Sequence, residues 1–190
     1  MEMIDLVRTA ALGNFTRYMR RENPQIKEIT ASEPLAFDHW IMLILVKSKV
    51  LNVSFQTHFT SPVARKLAAT GLNLPEKQLT YKICHDFMQE FCNLTAGSIK
   101  KHLLDTCLRA DSFDMTVQVP EKVPAYDEVN LFKDLKKNKL HDCFGIEFSA
   151  GDEITCATHV KIFDYEALSA IKQLDISVLT VDDEGQVEFL

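Results

Sequence analysis

The chain has 190 residues, and its formal net charge at pH 7 is −6, with 21 lysines and arginines against 27 aspartates and glutamates. This acidic balance argues against nucleic-acid binding, which needs a basic surface. The length allows one sizeable hydrophobic core, or two small repeats that share one. The five cysteines lack the even number and the spacing of a disulfide framework, which is typical of a reducing cytoplasm.

No segment predicts export or a membrane span. The N-terminal residues MEMIDLVR include acidic side chains and lack the apolar stretch of a secretory signal. The most apolar run, residues 40–46, is far too short to cross a bilayer. We therefore expect a cytoplasmic protein that does not contact a membrane.

The first third of the chain predicts a helix, a loop and two strands. Apolar residues at helical spacing predict an amphipathic helix over residues 3–21. Two proline-containing pairs predict a loop over residues 22–35, with room for a short extended piece. Residues 37–49 are rich in strand formers, and residues 50–59 alternate as a second strand, so a hairpin turn is expected at residues 47–49.

Two helices are predicted next. Ser61 followed by Pro62 predicts a helix start, with the serine as N-cap and the proline at the first helical position. That helix is expected over residues 63–70 and to end at Gly71. Residues 85–104 contain no proline and many good helix formers, and their apolar residues recur at three- and four-residue steps, so they predict one long helix.

The C-terminal part predicts mainly strands. Residues 113–119 alternate as a strand, and Pro120 and Pro124 predict a surface loop after it. Residues 140–163 predict a β-hairpin with its turn at residues 150–152.

Three C-terminal segments are less specific. Residues 131–139, with their run of lysines, fit either a short helix or a polar strand edge. Asp164 is an N-cap candidate for a short helix. Residues 174–190 contain two short apolar pieces around an acidic turn, which fits a small hairpin or a loosely held tail.

The long helix has two chemically different faces. A broad apolar arc, which must pack on something, consists of Phe87, Met88, Phe91, Cys92, Leu94, Thr95, Ile99 and Leu103. The opposite, polar face carries Asp86, Gln89, Glu90, Asn93, Gly97, Lys100 and Lys101.

The polar face contains an unusual stripe. Glu90, Asn93 and Gly97 stand at i, i+3 and i+7, so they line one edge of the helix. Glycine and asparagine are both unfavourable inside a helix, so their presence beside a carboxylate indicates a site at which another surface approaches closely. The alternative is an ordinary solvated face with an incidental asparagine and glycine.

Metal-ligand residue types also occur on this helix. Cys84, His85, Cys92 and His102 are spread around it, whereas zinc ligands must converge on a tetrahedron. No metal site is predicted.

The two long helices contain a short similar sequence, which we call the internal repeat. LGNFT at residues 12–16 resembles FCNLT at residues 91–95, which aligns Asn14 with Asn93. The same alignment places Ala11 opposite Glu90. This hints at two βαβ-like halves related by duplication, one of which lacks the carboxylate.

The sequence QEFCNLTAGSIK, residues 89–100, resembles the signature helix of the CheC/CheX/FliY phosphatases of bacterial chemotaxis. That signature is E-x-x-N with a glycine four residues after the asparagine and often a lysine further on. These places are filled by Glu90, Asn93, Gly97 and Lys100. The resemblance covers roughly residues 1–172 and is closest to the CheX branch, because only the second long helix carries the motif.

The resemblance implies a fold. It is α+β, CheC/CheX-like and pseudo-duplicated, with two long helices packed on one face of an antiparallel sheet. A single CheX-like domain is expected over residues 1–190, in which the tail at residues 173–190 has no counterpart in the family. The resemblance also implies a homodimer, in which the hairpin at residues 140–163 is the element to exchange.

The resemblance also implies an activity, namely hydrolysis of the aspartyl phosphate of a CheY-like response-regulator receiver. Asn93 would orient the attacking water, and Glu90 would form a salt bridge with the receiver's lysine. Gly97 would let the receiver backbone come close. Peripheral docking contacts would come from Asp86, Gln89, Lys100 and Lys101. The Mg²⁺ ion would belong to the receiver, so the chain is expected to need no cofactor or metal of its own.

Two alternatives remain open. The chain fits a non-catalytic CheX-like module that docks a receiver or dimerises through exposed strand edges, since fold does not fix function. A small-molecule-binding domain would use the cleft between the two long helices, but no convergent polar residues support it.

Overall fold

The computed structural model describes six segments of the chain: residues 3–20, 24–29, 39–106, 114–125, 139–149 and 151–164. They contain three α-helices: α1 (Met3–Tyr18), α2 (Ser61–Leu72) and α3 (Tyr81–Thr106). They also contain seven strands: β1 (Gln25–Glu28), β2 (His39–Lys47), β3 (Leu51–Phe59), β4 (Thr116–Val117), β5 (Glu121–Ala125), β6 (Lys139–Ser149) and β7 (Asp152–Ile162). A short 3-10 helix at Glu76–Gln78 precedes α3.

All seven strands belong to one antiparallel sheet. Its order is β1-β6-β7-β3-β2, and β4 and β5 both pair with the remaining edge of β2. The two predicted hairpins, β2–β3 and β6–β7, are confirmed, and the pairing of β3 with β7 joins them at the centre. The α+β fold with an antiparallel sheet is therefore as expected, with α2 as a third helix beside the two long ones.

The register of the central strands puts large apolar side chains on one face. Ile44 of β2 lies opposite Phe55 of β3, which in turn lies opposite Thr158 of β7. On the same face, Phe55 contacts the ring of Phe91 in α3, with 6.3 Å between ring centroids. The helices therefore pack on this face, and the hydrophobic core lies between them and the sheet.

Phe91 of α3 sits at the middle of this core. It is fully buried and meets Phe15 of α1 edge-on at 6.0 Å, as well as Phe55 of the sheet. Burying a phenylalanine side chain contributes about 1.5–3 kcal/mol. Of the predicted apolar arc, Leu94 is partly buried and the other members are buried. The two-faced prediction for this helix is therefore correct.

Arg8 ties α1 to the sheet. Its guanidinium donates to both oxygens of Asp142 in β6, at 2.6 and 2.7 Å, and to both oxygens of Glu28 in β1, at 2.6 and 2.9 Å. The hydrogen bonds that Arg8 donates to Glu28 lower the pKa of the Glu28 carboxyl group. Because the Asp142 side chain is only 10% exposed, loss of Arg8 would leave a largely buried carboxylate without this cation.

The predicted ends of α2 are wrong at both sides. The N-cap is Thr60, whose Oγ1 accepts a hydrogen bond from the Val63 N–H at 3.3 Å, so Ser61 is already helical. The helix continues through Gly71 and is capped by Asn73, which takes the left-handed conformation with φ of 53°. Asparagine tolerates this conformation, so a C-cap glycine is not needed here.

The surface loop predicted around Pro120 and Pro124 is confirmed at Pro120, which lies in the connection at residues 118–120, and is wrong at Pro124. Residues 121–125 form β5, which pairs with β2 from Leu43 to His39. Proline is tolerated because, within the described part of the chain, β5 pairs with β2 alone and its other side is an edge. Of the strand expected over residues 113–119, the described residues 114–119 contain the two residues of β4.

Other predictions are extended or lie outside the described residues. The short extended piece in the first loop is β1, and α3 begins at Tyr81, earlier than expected. Residues 131–138, the helix expected after Asp164 and the tail at residues 174–190 are not among the described segments, so those predictions and the domain limits stay predictions. Among the described residues, no helix is long and apolar enough to span a membrane.

Gly71→Ala should lower the free energy of unfolding. A Cβ atom at this position would lie 2.6 Å from Cε2 of the buried Phe87 and 3.0 Å from the backbone oxygen of Tyr18. Overpacking of this kind costs about 1–3 kcal/mol, which urea denaturation would measure.

Gly13→Ala is the matched control for that substitution. It is also a helical glycine, but its added Cβ would meet nothing within 4 Å. It should therefore raise the free energy of unfolding by up to about 1 kcal/mol. Equal stability of the Gly71→Ala variant and the wild type would contradict the close contact between α2 and Phe87.

Candidate functional site

Glu90 and Asn93 lie one turn apart on the outer side of α3, and both are half-buried. The Asn93 Nδ2 atom donates a hydrogen bond to the Glu90 Oε2 atom at 3.1 Å. Within the described residues, this is the one side-chain hydrogen bond of either group. The second carboxylate oxygen and the amide oxygen are therefore available as acceptors for a molecule outside the chain.

Gly97 continues the same stripe and is exposed. A Cβ atom built at this position would meet nothing within 4 Å, so the internal packing of the chain does not require a glycine. The residue nevertheless costs about 1 kcal/mol relative to alanine in a helix. This cost is understandable if another surface approaches the helix closely at this position.

The remaining predicted docking residues share this side of α3. Ideal helix geometry places the whole polar set within an arc of about 120°. At the N-terminal end, the exposed Asp86 forms an ion pair with Lys82 at 3.5 Å. Gln89 and Lys100 are half-buried, and Lys101 is exposed. The Lys82–Asp86 ion pair therefore lies at the start of this face, and the two lysines Lys100 and Lys101 lie about 22 Å further along the helix.

Tyr18 of α1 lies close to the stripe, a position that no sequence pattern predicts. Its ring stacks on Phe87, one turn before Glu90, with 4.5 Å between centroids and 17° between ring planes. Burial, and after it the negative charge of Glu90, raises the pKa of Tyr18 to about 12. The sequence places Tyr18 on the apolar side of α1, but its approach to Glu90 depends on how the two helices cross.

Asn14, which aligns with Asn93 in the internal repeat, has a different environment. Its Nδ2 atom donates to Ser98 Oγ on α3 and to the backbone oxygen of Ala10, both at 2.9 Å. Ala11, which aligns with Glu90, is fully buried. The α1 helix therefore uses its asparagine to hold α3 and presents no carboxylate–amide pair.

The metal-ligand residue types around α3 do not converge. Across the six described segments, no group of three histidine, cysteine, aspartate or glutamate side chains is arranged to hold a metal ion. His85 is enclosed by aromatic rings, and Cys92 contacts Thr57 Oγ1 at 3.3 Å. Burial raises the pKa of the Cys92 thiol to about 12, so it stays protonated at neutral pH.

The interface between α1 and α3 is filled rather than open. Phe15 and Phe91 occupy it at one level, and Tyr18 and Phe87 occupy it at another. A groove of about 510 Å³ lies elsewhere, between α1 and Ile26 of β1. A small-molecule site between the long helices therefore receives no support from the geometry.

Comparison with known proteins identifies the fold. No protein-family model matches the sequence, and no curated protein sequence matches it. Solved structures do match. A chain of the CheX–CheY–BeF3–Mg²⁺ complex from Borrelia burgdorferi has a TM-score of 0.63 and 13% identity, over 84% of this chain and 98% of that chain.

Two further structures give the same result. CheX from Vibrio vulnificus matches with a TM-score of 0.63 and 15% identity, over 85% of this chain and 100% of that one. A CheC-like superfamily protein from Shewanella sp. PV-4 matches with a TM-score of 0.59 and 16% identity, over 85% of this chain and 99% of that chain. The chain therefore has the CheC/CheX fold that its α3 motif predicts.

Glu90→Gln should lower the pKa of Tyr18 from its value of about 12, because the substitution removes a negative charge that disfavours the phenolate. NMR titration of the Tyr18 ring signals would measure this change. Asp86→Asn is the control, because Asp86 is not among the causes of the Tyr18 shift. An unchanged Tyr18 pKa in Glu90→Gln would contradict the proximity of the two groups.

Proposed function

We propose that this chain, which has the fold of CheX and CheC-like proteins, hydrolyses the aspartyl phosphate of a CheY-like receiver domain. The observation that carries the proposal is the outer stripe of α3. There, a hydrogen-bonded Glu90–Asn93 pair lies beside Gly97, a helical glycine with open space around it. Such a stripe suits insertion into a partner's pocket better than packing within the chain.

Hydrolysis of an aspartyl phosphate requires a correctly positioned water molecule more than it requires activation of the phosphate group. An acyl phosphate is already reactive, so a catalyst gains most by holding water in line with the phosphorus atom. The Asn93 amide has both a donor and an acceptor and suits this task without acting as a base. Its oxygen, which makes no hydrogen bond within the described residues, would accept from the water.

Glu90 would fix the depth and angle of insertion. Its carboxylate would form a salt bridge with the lysine of the receiver's phosphorylation site. Because Asn93 donates to the same carboxylate, docking of Glu90 would also set the position of the Asn93 amide. An ion pair that becomes buried is favourable only with good geometry, which a rigid helix provides.

The partner would supply the metal ion. The Borrelia burgdorferi structure is a complex of CheX with CheY, BeF3 and Mg²⁺, and this supports a CheY-like partner for the fold. In our proposal, the Mg²⁺ ion stays in the receiver and the chain contributes Glu90 and Asn93. Asp86, Gln89, Lys100 and Lys101 would form the rim of the docking surface.

A second candidate function is docking without catalysis. The Asn93 amide already donates to Glu90, so the pair is partly satisfied within its own helix. A module that only binds a receiver, or that dimerises through a sheet edge, would retain this arrangement. A homodimer is part of either proposal. In the described segments, β1 and β5 each have one side free of strand pairing, and the β6–β7 hairpin pairs with β1 and β3 of the same molecule.

Asn93→Ala should reduce the acceleration of receiver dephosphorylation by about 100-fold or more, because the water is no longer held in line. Binding of the phosphorylated receiver should persist, whereas Glu90→Ala should weaken both binding and rate. Release of phosphate from a phosphorylated CheY-like receiver with Mg²⁺ measures the rate, and calorimetry measures binding.

Asn14→Ala is the matched asparagine control. It removes the hydrogen bond to Ser98 and should cost about 1 kcal/mol of stability, but it should leave the acceleration intact. An Asn93→Ala variant that accelerates receiver dephosphorylation as strongly as the wild type does would contradict the catalytic proposal. Receiver binding by the wild type without any acceleration would favour the docking module.

Gly97→Leu separates docking from folding. Leucine is a better helix former than glycine and has open space here, so the free energy of unfolding should rise by up to about 1 kcal/mol. The same side chain would block close approach, so receiver binding should weaken at least tenfold. A variant that is both more stable and equally good at binding would show that Gly97 does not face the partner.

A further inference from the structure

A second cluster of functional groups lies at the start of α3, outside the Glu90–Asn93 stripe. It consists of Trp40 on β2, Tyr81 and His85 on α3, and Lys122 on β5, and we refer to it as the Lys122 clamp. The Lys122 Nζ atom lies 5.2 Å from the ring centroid of Trp40 and 5.2 Å from that of Tyr81. Its ammonium group therefore rests on two aromatic faces, an arrangement that attracts a cation.

His85 forms the buried side of the clamp. Its ring is 5.0 Å from that of Trp40 and nearly perpendicular to it, and it lies 3.9 Å from Tyr81 at 32°. His85 is 3% exposed, and neither ring nitrogen has a hydrogen-bond partner among the residues that the structure describes. A buried polar side chain without partners is unusual and costly, so it calls for an explanation.

The surroundings of His85 keep it neutral. The sheet presents the uncharged rings of Trp40 and Phe59, β5 presents the Lys122 ammonium, and α3 itself presents Asp86. Burial, and after it the charge of Lys122, lowers the pKa of His85 from 6.5 to about 4, although Asp86 acts in the opposite direction. At neutral pH the imidazole therefore adds no charge beside the ammonium.

Lys122 belongs to the edge strand β5, which is held in the sheet by its pairing with one strand. β5 pairs with β2 on one side and, among the described residues, with no strand on the other. Lys122 is paired in register with Met42, whose side chain is buried on the helix-bearing face. The clamp therefore connects the edge strand β5 to the first turns of α3 across β2.

We propose that the Lys122 clamp is an acid-sensitive latch, in which neutral His85 allows Lys122 to hold β5 against α3 and protonated His85 expels it. An imidazolium in this enclosure would be desolvated, would find no hydrogen-bond acceptor within the described segments and would repel the neighbouring ammonium. Lys122 can leave towards solvent because its side chain is exposed. Its departure would leave β5 held by β2 alone.

The direction of the pH dependence follows from linkage. The open state, in which His85 regains its ordinary pKa near 6.5, binds the proton more readily than the closed state, whose pKa is about 4. The latch is therefore closed above about pH 6.5, and the preference for the closed state is lost progressively as the pH falls towards 4.

The single tryptophan of the chain, Trp40, makes the latch observable in the full-length protein. Between pH 7 and 4, emission of Trp40 should fall as the imidazolium forms beside it. Over the same range, the amide hydrogens of Glu121, Lys122, Val123 and Ala125 should exchange up to about tenfold faster for each unit by which the pH falls, after correction for the pH dependence of intrinsic exchange. Amides of β6 and β7 should not follow this change.

Two substitutions test the proposal independently. His85→Phe keeps a ring but cannot titrate, so β5 should stay protected down to pH 4. Lys122→Met keeps the aliphatic stem and removes the charge, so it should raise the pKa of His85, as measured by NMR of the ring protons. Lys101→Met is the control lysine, because it lies about 24 Å away along α3 and should leave that pKa unchanged.

Two results would overturn the latch. The first is the same pH-dependent exchange of β5 in the wild type and in His85→Phe. The second is a His85 pKa that does not move in Lys122→Met, an exposed substitution that is compatible with folding. Loss of folding in His85→Phe would leave the second comparison to decide.

Discussion

The packing of Phe91 between α1 and the sheet is the contact that determines which face of α3 carries the candidate site outwards. Its ring is enclosed by Phe15 and Phe55, so the rotation of α3 about its own axis is fixed. Successive residues differ by about 100°, so turning α3 by one residue would exchange Phe91 for Glu90 in the core. The cost of burying a carboxylate and exposing a phenyl ring excludes that arrangement. The outward direction of the stripe is therefore a consequence of core packing.

The two long helices show how one residue type serves two purposes. Asn14 and Asn93 occupy matching places in a short repeated pattern, but Asn14 is bound to Ser98 across the helix interface, and Asn93 is bound to a carboxylate at the surface. The difference arises at the preceding turn, where α1 has the buried Ala11 and α3 has Glu90. The asparagine of α1 supports the packing of the two helices, and the asparagine of α3 belongs to the polar pair.

The sequence was informative where structure is decided locally. The period of apolar residues in α3 and the alternation in β6 and β7 depend on near neighbours, and these elements formed as expected. Errors arose where distant contacts decide. Gly71 looked like a helix end, but it is a helical residue that makes room for Phe87. Pro124 looked like a strand breaker in a surface loop, but it belongs to β5, an edge strand in which proline is tolerated. The position of Tyr18 near Glu90 depends on helix crossing, which no local pattern specifies.

The Glu90–Asn93 hydrogen bond also bears on how such a protein tolerates change over evolution. Both groups stand on consecutive turns of one helix, so their separation does not depend on the exact positions of loops, strands or neighbouring subunits. Substitutions elsewhere can accumulate as long as the helix keeps its rotation. A segment of a few helical turns is therefore enough to keep the carboxylate and the amide side by side, whatever changes occur in the rest of the chain.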